Sequence, residues 1–360
     1  MVQGLPGRSR CPRACPGRAG GSLRAPGGDR GRPPGDRRGG APVPARGRAA
    51  QRAVPDRTLD AHHPVIAAAV AATAGVFALR ALAHWAILRG LRAPRLPHPA
   101  GEMAQGALPS SLRELHIAGP NGRRLFARLV LPAQHGHGPW PAVLAMHGWG
   151  ANAGLMWPVV PPLRAAGFAT LLLDARCHGR SDDEDFSSLP RFAEDIAAGL
   201  AWLRQQPEIA PDRIALLGHS VGAGAAILHA SRQHDVRAVV SLSAFAHPRE
   251  VMRRLLAQHH IPFTPIGWYV LRHVQRVIGT SFDAIAPLTT LPRVLCPVLL
   301  VHGRDDRTVP FDDALRLRAV SQGAELLALE GDHDLSATLA PRADVLVDFL
   351  KAACLPAKQD

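Results

Sequence analysis

The feature of this chain that most restricts its fold is the segment from Gly218 to Gly222, which reads Gly-His-Ser-Val-Gly. A short apolar run of strand length, 213–217, precedes it, and an alanine-rich, helix-prone run, 223–230, follows it. A strand, a tight turn and a helix around G-x-S-x-G form a nucleophile elbow, in which the turn holds the serine hydroxyl clear of the sheet. The pattern predicts that Ser220 is a nucleophile. The alternative is a glycine-rich turn whose serine only caps the following helix.

Two later segments supply the residue types that a serine nucleophile requires. After a nucleophile elbow, a carboxylate and then a histidine are expected in chain order. The buried-strand pattern at 297–302 leads directly into Asp305 and Asp306, and the predicted strand at 325–330 is followed by His333. The three residue types therefore occur in the required order, each at the carboxyl end of a predicted strand.

These segments, together with His147-Gly148-Trp149-Gly150 and the run from Asp174 to Ser181, resemble the α/β-hydrolase family, especially its serine-peptidase-like and monoacylglycerol-lipase-like branch. The resemblance covers residues 105–355. It implies the α/β-hydrolase fold, a mostly parallel eight-stranded sheet with helices on both faces and a small helical lid.

The resemblance also implies site residues. Ser220 would be the nucleophile, His333 the base and Asp306 the acid. The family spacing H-G-x-x-D-x-x-V-P, matched by residues 302–310, selects Asp306, with Asp305 as the runner-up. The oxyanion hole would be formed by the backbone N–H groups of Trp149 and Val221.

The hydrophobic pattern predicts the same class of fold without reference to any family. Alternating segments at 111–117 and 124–131 predict an antiparallel hairpin with its turn at 120–122. Continuous apolar runs at 141–146 and 169–173 predict strands that are covered on both faces. Helices are predicted over 155–166, with an irregular start because of its prolines, and over 190–205. Strands alternating with helices indicate a mostly parallel sheet.

Residues 247–292 interrupt this alternation and predict a small lid of two helices over Ser220. Four large side chains would line an apolar wall for the substrate, namely Phe263, Ile266, Trp268 and Tyr269. This wall favours an acyl chain or another apolar group. The alternative is that these side chains only pack on the domain.

The front of the chain differs in composition from the rest. Residues 1–60 hold thirteen Arg against four Asp and almost no large apolar side chains, so we expect this segment to be disordered, if it is translated at all. Residues 65–88 are apolar and long enough to form a transmembrane or anchor helix, although Arg80 interrupts them. An export signal and a helix packed on the domain are the alternatives. Residues 89–104, rich in proline, are predicted to be a linker.

Charge and cysteine content exclude several classes of partner. The net charge of +13 resides entirely in residues 1–100, and 101–360 are balanced, so the catalytic domain is not expected to bind nucleic acid. Three arginines after the apolar segment favour a cytoplasmic catalytic domain, while the basic segment before it argues for the opposite orientation.

The five cysteines have no metal-binding spacing and indicate free thiols. We expect neither a metal nor a cofactor.

Together these patterns predict a membrane-anchored serine hydrolase that cleaves a small-molecule carboxylic ester, acyl or lipid-like, through an acyl-enzyme. A peptidase or a thioesterase of the same fold is the enzymatic alternative. A catalytically silent, membrane-tethered binding protein is the alternative from another class.

Overall fold

The computed structural model describes residues 63–98, 111–132 and 138–355. The chain divides into two units, Met1–His62 and His63–Asp360, and all described residues belong to the second. The segment predicted to be disordered, 1–60, lies outside the described residues.

The domain that follows α1 (His63–Gly90) is built on one eight-stranded sheet with the strand order β1-β2-β4-β3-β5-β6-β7-β8. The strands are β1 (Leu112–Ala118), β2 (Arg124–Val130), β3 (Trp140–Met146), β4 (Ala169–Leu173), β5 (Ile209–His219), β6 (Val239–Leu242), β7 (Val298–Gly303) and β8 (Ala324–Leu329). β2 pairs antiparallel with both β1 and β4, and all other pairs are parallel. The predicted mostly parallel sheet is confirmed.

One helix precedes the strands, two follow the last strand, and the others lie between strands. They are α1 (His63–Gly90), α2 (Val160–Ala165), α3 (Leu189–Leu203), α4 (Val221–Gln233), α5 (Pro248–Gln258), α6 (Trp268–Ile278), α7 (Phe282–Ile285), α8 (Pro287–Thr290), α9 (Phe311–Val320), α10 (Ser336–Leu339) and α11 (Ala343–Cys354). Helices α5 to α8 follow β6 and fill the range predicted for the lid.

The central strands are covered on both faces because their side chains alternate between two apolar clusters. In β5, Leu216 belongs to one cluster and Leu217 to the other. Helix α3 contributes Phe192 to the first cluster, and α11 contributes Leu350 to the second. A parallel strand buried in this way reads as a continuous apolar run, which is the pattern seen in the sequence.

Turns and helix starts follow the local chemistry that the sequence indicates. The hairpin between β1 and β2 turns through Asn121 (φ 56°) and Gly122 (φ 69°), two residue types that tolerate a left-handed backbone. The helix predicted over 155–166 begins as a 3-10 segment, Ala153–Val159, with Pro158 inside it. It continues as α2, whose first turn contains a proline.

Helix α1 stands apart from the core over most of its length. Among the described residues it is the one helix long and apolar enough to cross a membrane. Its side chains are exposed from residue 64 to residue 82, whereas Ile87 and Leu88 near its end pack on the domain core. Its last turns also approach α6, where His84 Nδ1 lies 2.9 Å from His273 Nε2. The end of α1 is therefore held against the lid region.

Candidate active site

Ser220 lies between the carboxyl end of β5 and the first turn of α4, in a backbone conformation that serine rarely adopts. Its φ and ψ are 53° and −115°. The Ser220 N–H donates to the Leu242 carbonyl at 2.8 Å, which ties the turn to β6. A Cβ at Gly222 would meet the carbonyl oxygens of Met146 and His147. Only glycine at this position lets α4 approach β3 closely enough to form the elbow.

His333 and Asp306 are joined by a direct hydrogen bond. His333 Nδ1 donates to Asp306 Oδ2 at 2.7 Å, although 27 residues separate them in the chain. They meet because β7 and β8 are parallel neighbours, so the loops after both strands lie at one edge of the sheet. His333 is partly exposed, while the Asp306 side chain is fully buried.

Asp306 is held as a buried carboxylate by several donors. The N–H groups of Thr308 and Val309 donate to its Oδ1 at 2.9 and 2.8 Å. Burial opposes its ionisation, but hydrogen bonds from His302, His333 and Val309 outweigh that effect and hold the pKa of Asp306 well below its usual range. The neighbouring Asp305 is exposed. Of the two adjacent carboxylates, Asp306 is the one that contacts His333.

His219 links the histidine loop to the elbow. Its Nε2 donates to the His333 carbonyl at 2.9 Å, and the two imidazole rings lie 4.8 Å apart. Because His219 directly precedes Ser220, this bond brings the His333 loop next to the turn that holds Ser220. Sequence reasoning missed His219 and also His302, which approaches Asp306 Oδ2 at 3.4 Å. Each histidine lies beside a predicted site residue, but its partner can be identified only from the fold.

The loop after β3 lies directly over the elbow. A Cβ on Gly148 would come within 3.2 Å of Ser220 Cβ and 3.0 Å of His219 Nδ1. The Ala151 N–H donates to the Gly148 carbonyl at 3.2 Å, so Trp149 occupies a tight turn beside Ser220. Val221 is the first residue of α4, where an N–H has no partner within its own helix. Both predicted oxyanion residues therefore border the serine.

His147 and His178 form hydrogen bonds that hold loop backbones. His147 accepts a hydrogen bond from the Ala175 N–H at Nε2 and donates from Nδ1 to the Gly148 carbonyl. Burial lowers the pKa of His147 to about 3, so this imidazole is neutral at physiological pH. His178 donates from Nδ1 to the Arg176 carbonyl. The hydrogen bonds of these two buried rings therefore stabilise the loops that they join.

The four predicted lid side chains differ in their surroundings. Ile266 and Trp268 are exposed, at 50% and 56%. Phe263 packs under the guanidinium of Arg253, 4.4 Å from its ring centre, and Tyr269 stacks on His273. Their contact with a substrate stays a prediction.

Comparison with known proteins finds a matching family model over part of the chain and several relatives of low identity. Residues 138–277 match the family model described as serine aminopeptidase, S33. The chain is 26% identical to YfhR of Escherichia coli over 59% of this chain and 71% of that protein. It is 29% identical to Rv2307c of Mycobacterium tuberculosis over 61% of this chain and 70% of that protein.

Solved structures share the fold at low sequence identity. The esterase Pf2001 of Pyrococcus furiosus superimposes with a TM-score of 0.56 and 20% identity over 73% of this chain and 98% of its own. Est1E of Butyrivibrio proteoclasticus, solved with ferulic acid bound, gives a TM-score of 0.56 and 22% identity over 66% of this chain and 98% of its own. With its eight-stranded sheet and these structural neighbours, this chain has the α/β-hydrolase fold, and its residues 138–277 are similar to the matched family.

Proposed function

We propose that the protein is a serine hydrolase that cleaves carboxylic esters, with Ser220 as nucleophile, His333 as base and Asp306 as acid. The observation that carries the proposal is the 2.7 Å hydrogen bond between His333 Nδ1 and buried Asp306, beside a serine with a strained backbone. A carboxylate that accepts from Nδ1 fixes the imidazole tautomer whose Nε2 is free to take a proton.

In the proposed reaction, His333 Nε2 removes the Ser220 hydroxyl proton as the serine oxygen attacks the ester carbonyl carbon. The N–H groups of Trp149 and Val221 stabilise the negative charge on the carbonyl oxygen. His333 then gives the proton to the departing alcohol, which leaves an acyl-enzyme. Water, deprotonated by His333, then attacks the acyl-enzyme, and His333 returns this proton to the Ser220 oxygen as the acid leaves.

An ester is favoured over a peptide with a free amino end, although the matched family model is described as a serine aminopeptidase. An aminopeptidase needs a carboxylate to bind the substrate ammonium group. The lid range 247–292 contains two acidic residues, and both already pair with arginine. Arg316 binds Glu250 at 2.7 and 2.9 Å, and Arg249 binds Asp283 at 3.0 Å.

A thioester is the second candidate substrate. A thiohydrolase of Arthrinium phaeospermum is 32% identical to this chain over 105 residues, which are 28% of this chain and 34% of that protein.

Labelling with a fluorophosphonate probe tests the nucleophile. The wild-type protein should be labelled and should cleave p-nitrophenyl esters, whereas Ser220→Ala should do neither while remaining folded by circular dichroism. When a p-nitrophenyl ester, a thioester and an aminoacyl anilide are compared at equal concentration, the ester should be cleaved fastest. If the wild-type protein is not labelled and cleaves none of these substrates, a catalytically silent binding protein is favoured. If Ser220→Ala is labelled, another residue is the nucleophile.

We further propose that α1 anchors the protein in a membrane. The helix is 28 residues long and exposed along most of its apolar length, and its end packs on the domain at α6. Exposed Ile266 and Trp268, just before and at the start of α6, would then lie near the lipid surface. This arrangement agrees with an apolar substrate that partitions into a membrane.

Extraction of isolated membranes tests the anchor. An apolar span resists both high salt and alkaline carbonate, whereas a basic segment held by anionic lipid is released by salt because its attraction is screened. The full chain should therefore stay in the pellet under both treatments. Release at high salt would contradict the proposed span.

A further inference from the structure

The segment that follows α1 is more than a connection between a membrane helix and the domain. Residues 91–98, called here the strap, lie within the range 89–104 for which composition predicts a linker. Its first part is tied to the loop before α3: the Leu91 carbonyl accepts from the Ser187 N–H at 3.0 Å, and Arg92 Nε donates to the Asp185 carbonyl.

Arg95 fixes the middle of the strap to the loop after β4. Its guanidinium donates to the carbonyl oxygens of Gly179 and Ser181 at 3.0 and 2.9 Å and binds the Asp183 carboxylate at 2.6 Å. Three acceptors for one side chain hold the strap in a single position. The strap then passes beside the proposed oxyanion loop.

At that loop the strap makes its most specific contacts. Asn152 Nδ2 donates to the carbonyl oxygens of Leu96 and Pro97, each at 3.1 Å. The same side chain accepts from the Gly154 N–H through Oδ1, so Asn152 joins the strap to the chain just after the Trp149 turn. Pro94 packs against the turn itself, because a Cβ on Gly150 would lie 3.1 Å from Pro94 Cγ.

The last described residue of the strap completes the buried Asp174 site. His98 Nε2 donates to Asp174 Oδ2 at 2.8 Å, and the Arg180 N–H donates to the same oxygen at 2.7 Å. Asp174 Oδ1 accepts from the Ala153 N–H at 2.6 Å. One fully buried carboxylate therefore joins the strap, the loop after β4 and the chain that leaves the oxyanion loop.

From these contacts we propose that the strap positions the oxyanion loop, with His98 and Asn152 as positioning residues for the reaction. The proposal rests on the proposed function, because it assumes that the Trp149 N–H stabilises an oxyanion. The contacts lie within the Trp149 turn, at Gly150, and just after it, at Asn152, and hold the N–H group in place before substrate binds. Loosening the strap should therefore weaken binding of the transition state more than binding of the substrate.

Two variants of the full chain test the strap with little change in shape. Asn152→Asp keeps the acceptor for the Gly154 N–H but replaces the donor with a carboxylate oxygen facing two carbonyl oxygens. His98→Ala removes the donor to Asp174, and His98→Gln restores an N–H donor near the position of Nε2. The control is Arg113→Ala. Arg113 lies on the edge strand β1, and its substitution breaks only an ion pair with Glu208 on the surface.

We expect Asn152→Asp and His98→Ala to lower kcat for a p-nitrophenyl ester about ten- to hundredfold, with KM changed less than about threefold. This is smaller than the roughly 10²–10³ loss for removal of a whole oxyanion donor. Inhibition by a trifluoromethyl ketone, which forms a tetrahedral oxyanion on the serine, should weaken by a similar factor. His98→Gln and Arg113→Ala should stay near the wild-type values.

The same measurements separate the possible failures. If Ser220 is labelled normally and both variants keep kcat and ketone affinity within about twofold of wild type, the strap proposal is wrong and the proposed function stands. If activity falls only in proportion to the folded fraction, with unchanged ketone affinity, the strap is merely structural and the proposal is again wrong. If Asn152→Asp does not fold, the His98 pair decides by the same criteria. A labelled Ser220→Ala would overturn the proposed function and the strap proposal with it.

Discussion

The Asp306→Asn variant tests the proposed acid most directly, because the surrounding donors determine how the new amide is oriented. Asp306 Oδ1 accepts from the N–H groups of Thr308 and Val309. If the amide NH₂ faced these groups, both backbone donors would lose their acceptor, and for the buried Val309 N–H this costs about 1–3 kcal/mol. The amide oxygen will therefore take the place of Oδ1, and the NH₂ group will face His333.

This orientation reverses the proton arrangement of His333. An amide NH₂ cannot accept from Nδ1, so the imidazole becomes the tautomer that accepts at Nδ1 and carries its proton on Nε2. In that state Nε2 cannot take the Ser220 proton. The equivalent change in a Ser-His-Asp triad lowers kcat by about 10⁴, which corresponds to about 5 kcal/mol of transition-state stabilisation.

The assay is the turnover of a p-nitrophenyl ester, normalised by fluorophosphonate titration of the serine. Asp305→Asn is the matched control, since Asp305 is the adjacent, exposed carboxylate. We expect it to keep nearly full activity. If Asp305→Asn were the inactive variant and Asp306→Asn the active one, the assignment of the acid and the tautomer argument would both be wrong.

Three further predictions concern stability. Gly222→Ala should prevent formation of the elbow, because its Cβ would meet two backbone carbonyl oxygens. Gly224→Ala is the control and should fold, because its Cβ would meet only side chains, at 3.1 Å or more. Thermal denaturation and probe labelling of both variants check this prediction. Arg176→Met should lower the free energy of unfolding, measured by urea titration, by about 3–5 kcal/mol. The reason is that the buried Asp195 carboxylate loses its ion pair with the Arg176 guanidinium, in which Nε lies 2.6 Å from Oδ1. A change below about 1 kcal/mol would contradict this prediction. Burial lowers the pKa of His147 to about 3, so the unfolded chain takes up a proton at this imidazole near pH 6.5 and the folded chain does not. The free energy of unfolding should therefore fall as the pH is lowered from about 6.5 to about 3. His147→Gln should make the free energy of unfolding less dependent on pH in this range.

The fold class could be predicted from the sequence because the signals for a parallel sheet are local. Continuous apolar runs, the proline positions and the Gly-His-Ser-Val-Gly turn depend on neighbours in the chain, and each predicted strand is present. The order of Ser220, Asp306 and His333 was readable for a similar reason. Parallel strands end at one edge of the sheet, so residues that follow different strands meet there.

Only the tertiary structure decided which distant side chains meet. No periodicity in residues 91–98 indicates that Asn152 and Asp174 bind them, because those partners lie more than fifty residues away in the chain. The sequence also did not indicate that Ile266 and Trp268 are exposed, since a large apolar residue in a lid can face either the site or the solvent. Sequence patterns thus determine which elements form and which residue types carry the chemistry, whereas packing between remote segments determines the contacts that hold the reacting groups in place.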